Sequence, residues 1–192
     1  MRRNIVFEKI IFQLLIFSAF AALFFLTSCG SQKKVTKKNS KENNKETNSS
    51  SFDQKIQNKY ATQLGVSQKN ISNISLYTFI DKWYGVPYKY GGKTMNGIDC
   101  SDFVSILFNN VYEKNISGSA AGMYNQCKKI SMENLREGDL IFFKIGSSEI
   151  SHIGIYLQNN KFVHATVHRG IMIDDLNEAY YKKYFFACGR FN

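Results

Sequence analysis

The sequence predicts an α+β domain, with helices first and an antiparallel sheet after them. Phe103, Val104, Leu107, Phe108 and Val111 recur at the spacing of one helix face. From Leu140 onward, short stretches rich in Ile, Val, Phe and Tyr are separated by breaks containing Gly, Asn and Asp, the pattern of strands and turns. A third observation limits the domain. Residues 30–51 are Lys, Asn, Ser, Thr and Glu with almost no apolar side chain, so they have nothing from which to build a core.

Taken in order, the chain begins with Arg2, Arg3 and Lys9 around an apolar run, Ile10 to Leu26, broken only by Gln13 and Ser18. The run is short of the ~20 apolar residues that a membrane span needs. Its positive start, apolar middle and small terminal residues make residues 1–28 a secretion signal, with an uncleaved anchor helix as the alternative. The ending Leu26-Thr27-Ser28-Cys29-Gly30 resembles a bacterial lipoprotein box. That resemblance implies Cys29 as lipid acceptor and a chain anchored to a membrane of the cell envelope. Gly30 in place of Asp implies the outer membrane, facing the periplasm, if the cell is Gram-negative. Residues 29–51 then read as a disordered, lipid-anchored tether. Of the net charge of +10, the signal (three basic against one acidic residue) and the tether (six Lys against two Glu) carry six. Such a charge favours anionic envelope polymers and headgroups. No interleaving of aromatic and basic residues in the remainder supports a nucleic-acid partner.

Residues 52–192 make the one ordered domain. Short helices are expected over 53–64 and 76–84, followed by a Gly-rich loop at 90–96. The periodic helix of about Cys100 to Asn110 comes next, with Asp99 as its N-cap, and then a shorter helix near 121–127. A sheet of about five strands follows, at 140–144, 152–157, 162–166, 170–173 and 185–191.

Chemistry concentrates at Cys100, His152 and His164; the chain has three His, and two lie here. A thiol reacts as thiolate, and both a helix N-terminus and a neighbouring imidazolium lower its pKa. Cys100 opens its helix, where unpaired N–H groups can also hold an oxyanion. His152 and His164 lie on two strands around Gln158-Asn159-Asn160-Lys161. A two-residue Asn-Asn turn would pair Ile155 with His164 and send the two imidazoles to opposite faces. A three-residue loop, Gln158 to Asn160, would pair Gly154 with His164 and put the imidazoles on one face as diagonal neighbours. Joint action of the two His requires that loop, another odd-numbered one, or a bulge. His152 is then the expected general base and His164 the group that orients it. His168 is expected at the surface near a turn.

These pieces together resemble the NlpC-type family of bacterial cell-wall cysteine peptidases, whose core is papain-like. The resemblance runs from about Leu76 to Arg190 through five segments: Trp83 to Gly92, Gly97 to Ser101, Leu135 to Phe143, Ser151 to Leu157, and Phe162 to Ala165. It implies Cys100 as nucleophile, His152 as base, His164 as third polar residue, and peptide stems of peptidoglycan as substrate. It also implies Tyr88, Asp99 and Ser101 beside the substrate; capping alone would account for the last two. Two departures stand out. Asp102 replaces the family's usual Gly two residues after the Cys, placing a carboxylate where it would oppose thiol ionisation. Residues 116–121 lack the Pro and Arg usual in that region.

Cys127 and Cys188 could form one disulfide or remain buried thiols. No Cys/His spacing resembles a zinc site, so neither metal nor other cofactor is expected, and the chain is expected to be a monomer. Two other readings compete with a peptidoglycan endopeptidase. A papain-like acyltransferase would need a broad apolar groove beside Cys100. A weakly catalytic peptidoglycan-binding module has only Asp102 in its favour.

Overall fold

The computed structural model describes residues 42–192. The signal region, Cys29 and most of the tether lie outside them. Helix α1 spans Glu42–Leu64 and α2 spans Ile74–Trp83, joined through a 3-10 turn at Gln68–Asn70. A short hairpin, β1 (Lys93–Thr94) and β2 (Gly97–Ile98), leads into α3 (Cys100–Tyr112), which α4 (Ala120–Gln126) follows. The remaining elements are β3 (Lys128–Ile130), β4 (Leu140–Phe143), β5 (His152–Tyr156), β6 (Lys161–Thr166), β7 (Gly170–Asp175), α5 (Ala179–Tyr184) and β8 (Phe185–Arg190). β3 to β8 form one antiparallel sheet in the order β3-β8-β4-β5-β6-β7. The α+β expectation therefore holds, with six strands in the main sheet rather than five.

Four differences from the expected elements have physical causes. α1 starts at Glu42, so part of the stretch expected to be disordered is helical. Ile56, Tyr60, Ala61 and Leu64 are buried and anchor the helix, and each residue added to an anchored helix gains a hydrogen bond without a new nucleus. β3 has only its middle and end as pattern, Lys128-Lys129-Ile130 with no buried residue, and is a strand because β8 offers an edge. β7 runs on past Ile173 to Asp175, because its pairing with β6 continues to Lys161. α5 is a six-residue helix among three Tyr and two Lys, too short for periodicity to reveal.

The two faces of the sheet bury different sets of side chains. Ile153, Ile155, Val163 and Ala165 face one way and join Phe103, Val104 and Leu107 of α3 in the main core. Ile141, Phe143 and Phe162 alternate to the other face and pack with Leu176 and Tyr181. The second face carries the imidazoles: the His152 ring lies 5.9 Å from that of Phe143, and His164 4.5 Å from Phe162.

Cys127 and Cys188 are both buried free thiols. Cys127 packs over Gly189, where a Cβ would come within 3.4 Å of its sulfur, whereas Cys188 is the preceding residue of the strand and points to the opposite face.

One contact joins the segment before the β1–β2 hairpin to the sheet. Gly85 donates to the Ile171 carbonyl at 2.8 Å, and Ile171 donates to the Val86 carbonyl at 2.9 Å. Gly170 makes that approach possible: its φ is +70°, and a Cβ there would fall 2.2 Å from the Val86 oxygen. Gly170→Ala should therefore destabilise the fold by about 2 kcal/mol or more, read as a lower urea midpoint. An unchanged midpoint would show that the approach is not required.

Candidate active site

The thiol is positioned by its helix start. Asp99 caps α3, its Oδ1 accepting from the Asp102 N–H at 2.7 Å and from the Ser101 hydroxyl at 2.9 Å. Its Oδ2 accepts from the Gly91 N–H at 3.0 Å, which pins the Gly-rich loop to the helix. Cys100 occupies the first helical position and is 8% exposed. The Ile153, Ser101 and Cys100 backbone N–H groups bond toward its sulfur and favour the charged form. Ile153 directly follows His152 in β5, so the start of α3 meets the sheet at the backbone of that strand's first residues.

The hairpin adopts the three-residue loop. Leu157 donates to Lys161 at 2.9 Å, and the register Ile155↔Val163, Tyr156↔Phe162 extends to Gly154 opposite His164. Asn159 and Asn160 take the left-handed conformation this loop needs, at φ of 50° and 58°. The two imidazoles thus share a face, and His152 Nε2 meets His164 Nδ1 at 2.7 Å. Gly154 leaves the room: a Cβ there would lie 2.7 Å from the Phe162 ring and 3.2 Å from the His164 Cβ.

The line continues beyond the residues singled out from sequence. His164 Nε2 lies 3.0 Å from Asp174 Oδ2. The same oxygen accepts from Arg169 Nη2 at 2.8 Å and from the Tyr181 hydroxyl. A carboxylate can only accept, so the proton of neutral His164 sits on Nε2. Nδ1 of His164 then accepts from His152 Nε2–H, and His152 Nδ1 is left with a free lone pair.

A cavity of about 530 Å³ opens against this line. Tyr88, Ser151, His152, His164, Arg169 and Tyr180 are among its walls. His168 is exposed, as expected, and stands on the rim. Tyr88 is half-buried, bridged to Ile98, and its phenol lies within the electrostatic reach of Cys100 and Asp99. The polar atoms of Asp99 and Ser101 are engaged with each other and with the helix start, the capping arrangement.

The sequence matches the model of the NlpC/P60 family over residues 85–190. The chain belongs to the NlpC/P60 family. It is similar to an Escherichia coli K12 protein named murein DD-endopeptidase MepS/murein LD-carboxypeptidase, 44% identical over 101 residues, 53% of each chain. It is also similar to the probable endopeptidase NlpC of the same organism, 36% identical over 112 residues, 58% of this chain and 73% of that one. Among solved structures, a protein similar to lipoprotein of the NLP/P60 family from Staphylococcus aureus superposes with a TM-score of 0.56 at 28% identity. The superposition covers 61% of this chain and 40% of that one. The chain thus spans about half the length of the first of these relatives.

Electrostatics within this NlpC/P60 site differ from the expectation of a ready ion pair. Burial pushes the Cys100 thiol up to about 11, with the Asp99 charge adding to the rise, and the backbone N–H groups only partly offset it. Burial pushes His152 down to about 3, and the neighbouring His164 pushes the same way. Burial therefore favours the neutral forms of both the thiol and the imidazole. Asp102 does not enter this balance: its carboxylate is 3.3 Å from the Lys93 ammonium, turned away toward the hairpin. The acidic neighbour that the thiol feels is Asp99.

Sequence reasoning passed over Asp174, Arg169 and Tyr181. The signal for Asp174 was the two-residue period from Met172, which becomes visible once β7 is extended to Asp175.

The half-buried His152 has a stability consequence. Its folded-state pKa of about 3 lies below the usual 6.5, so the unfolded chain takes up the proton first as pH falls. Stability should be fully present above pH 6.5 and drain away between pH 6.5 and 3. Thermal melts across this window should show a shallower acid slope for His152→Gln than for the wild type. Equal slopes would mean that His152 does not titrate from a buried neutral state.

Proposed function

We propose that the chain hydrolyses amide bonds in the peptide stems or cross-links of peptidoglycan, with Cys100 as nucleophile, His152 as general base and His164 orienting it. The observation that carries the reading is the 2.7 Å bond from His152 Nε2 to His164 Nδ1, which leaves a lone pair on His152 Nδ1, while the N–H of the next residue, Ile153, favours the thiolate of the helix-opening Cys100. The name of the similar Escherichia coli murein endopeptidase supplies the substrate class. The cavity walls combine Ser151, Thr166, Arg169 and Glu178 with Ile145 and Val167, a mixed lining that offers a peptide both polar and apolar contacts. A module that only binds would have no use for the paired imidazoles.

In the proposed cycle the thiol proton passes to His152 Nδ1 as sulfur attacks the scissile carbonyl carbon. The carbonyl electron pair moves to oxygen, held by N–H groups at the start of α3. Collapse of the intermediate expels the amine, which takes the proton from His152 and leaves a thioester on Cys100. Water, deprotonated by His152, then releases the acid and restores the thiol. Because burial favours the neutral pair, the base acts during attack and not before it.

Tyr88 fits the substrate wall near the thiol, with Asp99 and Ser101 shaping the helix start behind it. From the sequence alone, Cys29 is proposed as the lipid attachment point that holds the domain at an envelope membrane. No helix among the described residues is long and apolar enough to cross one.

Incubating the full chain with purified peptidoglycan and resolving released fragments by mass spectrometry tests the activity. Cys100→Ala and His152→Ala should each cut cleavage by several orders of magnitude. His164→Ala should cost less, and His164→Asn should recover part of the loss. Retention of activity within tenfold by Cys100→Ala would rule the mechanism out. Separately, cells fed a fatty-acid analogue should label the wild-type chain but not Cys29→Ser. No label in either would favour the uncleaved anchor instead.

A further inference from the structure

We propose that Asp174 is a fourth member of the reactive line, a positioning residue that fixes the tautomers of both imidazoles and stabilises the positive charge they take up when the thiol is deprotonated. The inference rests on the Cys–His reading of the site and deepens it.

The geometry is a chain of diagonal steps across three neighbouring strands. Gly154 stands opposite His164 in the β5–β6 register, so His152 is the diagonal neighbour of His164. His164 pairs with Met172, and Asp174 lies two residues further along β7 on the same face. Long or cyclic side chains span such diagonals. Ring and carboxylate do so here, at 2.7 Å and then 3.0 Å.

The carboxylate is built to stay charged. It is 6% exposed, and all three of its donors converge on Oδ2: His164, Arg169 and Tyr181. Burial by itself would raise its pKa, but the bonds from His164 and Tyr181 and the Arg169 charge outweigh burial and hold it below the usual carboxylate range. A buried carboxylate serving structure alone is satisfied by Arg169 and Tyr181. The further bond to the imidazole sets where each proton of the His pair sits.

The groups facing His164 can be taken element by element. β5 presents His152, β7 presents Asp174, the β6–β7 turn presents Arg169, and α5 with its cap presents Tyr181 and Glu178. Burial is the largest influence and opposes a positive imidazole, as does Arg169; the Asp174 bond and charge favour it, and Glu178 adds to that. Among these groups Asp174 alone both bonds to the ring and carries a buried negative charge. In the reaction the proton moves from sulfur to His152 Nδ1, the sulfur–carbon bond forms, and Asp174 remains ionised throughout. It takes no proton, but makes the His pair a better place for one.

The test uses the full chain labelled with ¹⁵N at histidine, so that imidazole nitrogen shifts report tautomer and titration independently of any substrate. In the wild type, His152 and His164 should both show the Nε2–H tautomer. Asp174→Asn keeps an oxygen for Arg169 and Tyr181 but removes the charge. It should lower the apparent pKa of the His pair by about one unit. The acidic limb of kcat/KM should follow to lower pH, with kcat down roughly tenfold to a hundredfold and KM within about twofold. Tyr181→Phe frees the carboxylate for His164 and should move the titration the other way, by about half a unit. It serves as the second variant should Asp174→Asn fold poorly. If neither variant moves the imidazole titration, Asp174 is structural and the proposal is wrong, whatever happens to the rate. A wild type that shows the expected tautomers but releases no peptidoglycan fragments would sink the hydrolase reading and leave the assignment of Asp174 standing.

Discussion

The register of the β5–β6 hairpin is the constraint on which the site depends. Side chains alternate across a strand, so a slip of one residue would send one imidazole into the main core under α3 and leave the other on the opposite face. Three residues, Gln158 to Asn160, prevent that slip. Two of them are Asn in the left-handed conformation, which Asn tolerates better than most residues with a side chain. The turn is also tied down from outside. Asn159 donates to the Leu64 carbonyl at 2.8 Å, and Gln158 donates to the Asn70 carbonyl at 2.8 Å and to Glu137 at 2.8 Å. The end of α1 thus helps to set the register of a hairpin 95 residues away, a link between the helical half of the domain and the chemistry of the sheet half.

Burial explains how the thiol and imidazole share their work. Burial penalises charge on either partner and favours the neutral thiol and neutral imidazole, even with a helix start and backbone N–H groups turned toward the sulfur. In the proposed mechanism, the positive charge created during attack has to be met by something already in place. The described residues supply it from behind, through His164, to a carboxylate that Arg169 keeps ionised. Arg169 has a second aspect. Its side chain is 55% exposed and lies on the cavity wall, so one end of the guanidinium stabilises the buried network and the remainder meets whatever enters.

Asp102 illustrates how a motif departure loses its force in three dimensions. On paper it is a carboxylate two residues from a nucleophile. In the fold the first helical turn points it at Lys93 of the β1–β2 hairpin, and the cap residue Asp99 is the acid closer to the sulfur in effect. Lys93 is largely exposed, so the pair contributes little to stability. Its consequence is local, holding the hairpin beside the start of α3.

Much of the site was legible because its chemistry is local in sequence. Asp99 before Cys100 announces a capped helix start, since the cap is a bond between residues three apart. The alternation in β4, β5 and β6 announces a sheet, since burial of one face repeats every second residue. The family segments fixed Cys100, His152 and His164 as the residues to watch. The sequence left open which face each imidazole would take, because that depends on a turn whose length two registers accommodate. It concealed Asp174, which lies beyond the apolar part of its strand and matters only through partners at 164, 169 and 181. It also concealed α1's early start and the strand at 128–130, where the pattern is weak and a neighbouring element decides. What the sequence determined by itself was the order of elements and which thiol and two imidazoles are proposed as the reactive set. Tertiary structure decided the protonation of those groups and the carboxylate behind them, because charge in a buried site is set by every element packed against it.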